Sequence, residues 1–193
     1  MKRAVILHGT DGGPDLIWIP WLKQKLEAEG YEVWAPLLPE NHTPNRKVYN
    51  DFLFGQGWDF TDNIVVGHSS GAVEVLNLLM DDRCPRVKMA VMVGVWAGGV
   101  PNGYGEGSSQ FDNLFSPEGF DFGRIKNNAE HIALLHGDND PFCPLEQAEY
   151  IATQLDVPLT IVPGGGHLGR SYPELPELWE VVASGLDFKQ KEA

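Results

Sequence analysis

Six short apolar runs, separated by longer stretches of helical pattern, constrain this chain more than any other feature of its 193 residues. They are Ala4–Leu7, Val33–Pro36, Ile64–Val66, Met89–Val95, Ile132–Leu135 and Leu159–Val162. They are mostly apolar at successive positions and rich in β-branched residues, which is how strands look when both faces of a parallel sheet are covered. Helical punctuation lies between them. Pro20 can open a helix that runs to Gly30, with proline at the first helical position and glycine just past the end. Pro144 can open Leu145–Leu155 in the same way, and Pro176 a last helix toward Phe188. The stretch Ala72–Met80 reads as a strongly apolar helix packed on the sheet. Strand, helix, strand, repeated, requires right-handed crossovers and predicts an α/β fold with a doubly wound sheet. We expect one domain over 1–193, with six parallel strands in the order 2-1-3-4-5-6 flanked by helices.

One stretch breaks the alternation. Residues 97–123 are rich in Gly, Ser, Asn and aromatics. A loop this long inside a compact domain is usually functional, and this one leaves the carboxyl edge of the fourth strand, the ligand-binding edge of such sheets. A lid-like role is expected for it.

The third run ends in Gly67-His68-Ser69-Ser70-Gly71, a G-x-S-x-G pattern set between a strand and an apolar helix. That context is what a nucleophile elbow needs: a sharp turn that lifts the serine hydroxyl above the sheet, with glycines where backbones approach closely. The following helix N-terminus then favours developing negative charge. Ser69 is the expected nucleophile. Serine needs a neighbouring base, and on this scaffold the chain order is serine, acid, histidine. His131 falls at the wrong end of the fifth strand, and His136 precedes the acid. His167 follows the sixth run inside Gly164-Gly165-Gly166-His167-Leu168-Gly169, a loop able to fold back over the elbow. Two aspartates qualify as the acid. Asp140 precedes Pro141 and is biased to extended backbone, whereas Asp138 reads as a turn former, so Asp140 is favoured. The oxyanion hole is expected from the backbone N–H groups of Ser70 and Thr10, the latter in the loop His8–Gly13 after the first strand. That loop lacks the G-x-G-x-x-G dinucleotide fingerprint.

Charge narrows the partners. A net charge of −13, from 27 acids against 14 bases, disfavours nucleic acid and anionic membranes, which reward clustered lysine and arginine. Cys84 and Cys143 fit no metal-ligand spacing, and no metal or other cofactor is expected. The run Ala4–Leu7 is too short for a signal-peptide core or a bilayer span, so a soluble, cytoplasmic protein is expected.

The segments Gly67-His68-Ser69-Ser70-Gly71-Ala72, Asp140-Pro141-Phe142 and Gly166-His167, with the early Trp18-x-x-Trp21-Leu22, resemble the small α/β hydrolases related to retinoblastoma-binding protein 9 and its bacterial YdeN-like relatives. The resemblance spans nearly the whole chain. It implies a reduced α/β-hydrolase fold without the extra N-terminal antiparallel strands, and a triad of Ser69, Asp140 and His167. The first loop, His8-Gly9-Thr10, is closer to general esterases. The expected activity is hydrolysis of a small carboxylic ester through an acyl-enzyme. The expected pocket is lined by Trp96, Phe111, Phe115 and Phe142. Two alternatives stay open: a protein-binding module that keeps the hydrolase shell, and a thioesterase or acyltransferase with the same triad.

Overall fold

The computed structural model describes residues 1–99, 101–103 and 108–185. Six strands run in parallel: β1 (Arg3–Leu7), β2 (Glu32–Trp34), β3 (Ile64–His68), β4 (Val87–Val93), β5 (Ala129–Gly137) and β6 (Leu159–Val162). Their spatial order is β2-β1-β3-β4-β5-β6, as the alternation predicted, and the sheet is open. The register places Leu7 beside Gly67 and His68 beside Val93, so the carboxyl ends of β1, β3 and β4 meet at one edge.

Both faces are buried, and the two-residue period of each strand divides its side chains between them. Val5, Leu7, Val65, Ala90, Met92, Ile132 and Leu134 belong to one core cluster. It is shared with helices α2 (Arg46–Gly55), α3 (Ser70–Met80), α4 (Phe122–Asn127) and α5 (Leu145–Leu155). Ala4, Ile6, Ile64, Val66, Val91, Val93 and Leu135 belong to the other cluster, shared with α1 (Ile19–Ala28) and α6 (Pro176–Gly185). Helix α3 is buried along Ser70–Leu79, which accounts for its almost unbroken apolar sequence.

Some boundaries differ from the sequence reading. The fourth strand stops at Val93, because Gly94 takes φ 64° and leaves the pleat. The last helix is described to Gly185, and its expected continuation toward Phe188 lies outside the described residues. Helix α2 was not anticipated. Its start is set by Asn45, whose side chain accepts from the N–H groups of Lys47 and Val48.

The stretch 97–123 is only partly described, since residues 100 and 104–107 lie outside the described set. Its second half is fastened rather than free. Phe111 and Leu114 are buried. The Asn113 carbonyl accepts from Arg46 N, and the Leu114 carbonyl accepts from Asn77 Nδ2 on α3. Gln110 Nε2 donates to the His42 carbonyl. These ties make residues 110–115 a wall beside the sheet edge. From Phe122 the stretch turns into α4, capped by the Asp121 side chain, where a loop was expected.

Candidate active site

The turn from β3 to α3 holds Ser69 at φ 55°, ψ −123°. A non-glycine residue in such a conformation stores about 1–3 kcal/mol of strain and persists only where its surroundings enforce it. Here Ser69 N donates to the Val93 carbonyl at 2.8 Å, and the Ser69 carbonyl accepts from Ala72 N at 2.8 Å. Glycine is required on both sides. A Cβ on Gly67 would stand 2.2 Å from the Gly71 carbonyl oxygen, and one on Gly71 would stand 2.5 Å from the carbonyl oxygens of Leu7 and His8.

Beside the elbow, the loop after β1 brings Thr10 to Ser70. The Thr10 hydroxyl and the Ser70 hydroxyl are 2.9 Å apart, with Thr10 Oγ1 donating. Neither Thr10 N–H nor Ser70 N–H has a backbone acceptor among the described residues. The loop itself is pinned by His8. Its Nδ1 donates to the Gly9 carbonyl at 2.7 Å, and its Nε2 accepts from Leu38 N at 2.9 Å.

The loops after β5 and β6 interlock. Asp138 Oδ1 accepts from Gly164 N, and Asn139 Oδ1 accepts from Gly166 N, both at 2.7 Å. Gly137 lets the two loops touch, since a Cβ there would stand 2.1 Å from the Gly166 carbonyl oxygen. The interlocking delivers His167 to Asp140, with Nδ1 2.7 Å from Oδ2. Asp140 Oδ1 accepts from Phe142 N at 2.9 Å and Cys143 N at 3.0 Å. Burial alone would raise the Asp140 carboxyl, but the bond and charge of His167 and the two N–H donors outweigh it and hold it below the usual carboxylate range. Asp140 and His167 are thus joined, while Asp138 is committed to the backbone of the glycine loop. Ser69 and His167 line one cleft of about 970 Å³. No hydrogen bond joins them among the described residues.

The cleft wall corrects one expectation. Trp96, Phe111 and Phe142 line it, but Phe115 does not. Asn77 holds the adjacent Leu114 carbonyl against α3, and the Phe115 ring packs on Trp96 and Phe120 instead. Phe142 is the exposed member, its ring edge-on to His167 at 5.1 Å. Asp140, Cys143 and His167 also offer three ligand atoms within 4.8 Å of one another. The first and last already bond each other, and burial pushes the Cys143 thiol up, which keeps it protonated. The set suits holding an imidazole better than binding an ion.

A family model described as serine hydrolase matches residues 4–184. The chain belongs to the serine hydrolase family. Its relatives include YdeN of Bacillus subtilis (strain 168), described as a candidate hydrolase, and the serine hydrolase RBBP9 of Rattus norvegicus. Each is 26% identical over 187 residues, covering 95% of this chain and 95% of the relative. The resemblance drawn from the elbow, acid and histidine segments therefore holds. The crystal structure of the B. subtilis ydeN gene product superposes with TM-score 0.84 at 23% identity, covering 97% of this chain and all of that one. Est1E of Butyrivibrio proteoclasticus, solved with ferulic acid bound, has the same fold at TM-score 0.67 and 15% identity, covering 97% and 88%.

Sequence reasoning did not single out the buried imidazoles of this serine hydrolase. His68, inside the elbow, donates Nε2–H to the His167 carbonyl at 2.9 Å, and its ring lies 4.9 Å from that of His167. His136 Nε2 donates to the Cys143 carbonyl at 2.9 Å and lies 3.6 Å from Asp140 Oδ2. Their signal was position, each closing the carboxyl end of a strand. Burial, reinforced by the neighbouring charge of His167, lowers the His68 imidazole to about 3. His8 and His136 are lowered by burial as well.

These shifts make the fold acid-labile. An unfolded histidine takes up a proton as pH falls below about 6.5, but folded His68 resists until about 3. Across that window the unfolded state binds more protons, so stability is full above it and drains as pH falls. His68 alone should remove about 2 kcal/mol between pH 7.5 and 5. Urea midpoints at pH 7.5 and 5.0 check this: a clear drop is expected, and equal midpoints would contradict it.

Proposed function

We propose that this serine hydrolase cleaves a small carboxylic ester, or a similar acyl compound, through an acyl-enzyme on Ser69. The observation that carries the reading is the 2.7 Å bond between Asp140 and His167, in a cleft that also exposes a strained elbow serine. Asp140 accepts from His167 Nδ1–H, which leaves the Nε2 lone pair to receive the Ser69 proton as Oγ attacks the carbonyl. The carbonyl oxygen gains negative charge, and the free N–H groups of Thr10 and Ser70 are the donors for it. Their hydroxyl–hydroxyl contact fixes the spacing between the two sides of the hole before substrate arrives. Imidazolium then protonates the leaving group. Water, deprotonated by the same nitrogen, releases the acid and restores Ser69. None of these steps calls for a cofactor. We place the protein in the cytoplasm, because its two cysteines are free and buried and fit a reducing compartment. No helix among the described residues is long and apolar enough to cross a membrane.

Fluorophosphonate labelling with peptide mass spectrometry tests the nucleophile, and a panel of short aryl esters tests the turnover. The label is expected on Ser69 alone and absent from Ser69→Ala, with turnover lost in the same variant. Folded protein that neither labels nor turns over any ester would remove the proposal.

A further inference from the structure

We infer that the acyl substrate carries an anionic group, a carboxylate or phosphate, which Arg170 receives at the mouth of the cleft. This deepens the ester-hydrolase reading above and rests on it.

The chain holds 27 acidic residues, yet among the described residues the cleft is lined by only one, Asp11. That carboxylate is occupied, with Oδ1 2.8 Å from His42 Nδ1. Asp140 sits behind the cleft with its side chain fully buried against His167. Arg170 lines the same cleft and is exposed. The other described lysines and arginines have partners. Arg3, Arg83 and Lys88 bridge carboxylates, and Lys25 lies over the Trp21 and Trp179 rings. Arg46 and Arg86 face the charges of Glu118 and Glu130. Arg170 alone, among the described lysines and arginines, has no ion pair, hydrogen bond, ring contact or facing carboxylate charge.

The backbone fixes where this guanidinium is presented. Trp18 Nε1 donates to the Leu168 carbonyl at 2.9 Å, and Tyr172 N donates to the Gly169 carbonyl at 2.9 Å. The second bond closes a four-residue turn with Arg170 and Ser171 at its corner, shortly after His167. A chain of net charge −13 repels anions on the whole. A cleft whose described lining holds one occupied acid and one uncommitted guanidinium favours an anion locally, and guanidinium pairs carboxylate or phosphate in a two-bond fork. Trp96, Phe111 and Ile17 add apolar lining, which suits an uncharged remainder of the substrate.

The test compares 4-nitrophenyl hydrogen adipate with its neutral methyl ester, in wild type, Arg170→Gln and Arg170→Lys. The expected result is a higher kcat/KM for the anionic ester in wild type, fading with added salt. The anionic-to-neutral ratio should fall about tenfold in Arg170→Gln, as for one charge-assisted contact, and be partly restored in Arg170→Lys. An unchanged ratio in Arg170→Gln overturns the inference. A second arm does not need turnover. Calorimetry on Ser69→Ala should show 3-phenylpropionate binding better than 3-phenylpropionamide, and 3-phenylpropyl phosphate separates phosphate from carboxylate preference. Acid and amide binding alike overturns the anion site. Preferential acid binding lost in Arg170→Gln, with no ester turned over by wild type, upholds the anion site and sinks only the ester-hydrolase reading.

Discussion

Asp140→Asn is expected to lower kcat about ten-thousandfold while the protein stays folded. The substitution is nearly isosteric. The amide oxygen of the introduced asparagine can still accept from the N–H groups of Phe142 and Cys143, which now donate at 2.9 and 3.0 Å. The change falls on the other oxygen. Where Oδ2 now accepts from His167 Nδ1, the variant presents an NH2 group, which can only donate. His167 then turns its lone pair to Nδ1 and carries its proton on Nε2, the tautomer that cannot take a proton from Ser69. The nearby His136 offers no rescue, because its Nε2–H is committed to the Cys143 carbonyl. Asp138→Asn is the matched comparison. Its Oδ1 serves only Gly164 N–H, which an amide oxygen serves as well. Both variants should be assayed on one ester near pH 8, with circular dichroism to verify folding. A large loss in Asp140→Asn with a loss of no more than a few-fold in Asp138→Asn is expected. The reverse ranking would move the acid to Asp138.

The contrast between these two aspartates shows what the sequence could carry. Proline after Asp140 biased that residue toward extended backbone and distinguished it from Asp138 before any contact was known. Strand order was legible for a similar reason. Runs such as Ile64–Val66 are apolar on both faces, and the burial of β3 at all five positions is the physical cause. The strained turn at Ser69 was legible because such a turn needs glycines at fixed offsets from it.

What stayed hidden depends on contacts between segments distant in sequence. Phe115 and Phe111 look alike in a glycine-rich stretch, and long-range ties such as the Asn77–Leu114 bond, 37 residues apart, set how the segment lies against the cleft. Helix α2 had weak local signals, since its buried face of Tyr49, Asn50 and Leu53 includes a polar residue. Its Asn45 cap, following Pro44, was the available cue. The histidine positions were visible, but not their burial, and burial is what makes His68 neutral and acid-labile. Arg170 could not stand out among 14 basic residues until the partners of the others were known.

Gly67→Ala should show that the elbow is a packing requirement of the fold. Gly67 is not among the residues with positive φ, so alanine faces no backbone penalty there. On conformational entropy alone it would stabilise the protein by roughly 0.4–1 kcal/mol. Space reverses the sign. The added carbon would stand 2.2 Å from the Gly71 oxygen, 2.5 Å from its carbonyl carbon and 2.7 Å from Ala72 N. All three are backbone atoms in the first turn of α3, with no flexible side chain to yield. Relief means lifting the start of α3 away from β3, but Gly71 is itself in close approach to Leu7 and His8 at the end of β1. The strain therefore spreads into the centre of the sheet. A loss of about 3 kcal/mol or more is expected, at the upper end of overpacking effects. For a chain of this size that lowers the melting temperature by roughly 6–12 °C. Gly55→Ala is the control. It ends α2, has open space around the added carbon and should leave the melting temperature unchanged or slightly raised. Thermal melts of the three proteins distinguish the cases. If Gly67→Ala melts with wild type, the start of α3 yields at little cost, and the strained φ of Ser69 is not enforced by close packing.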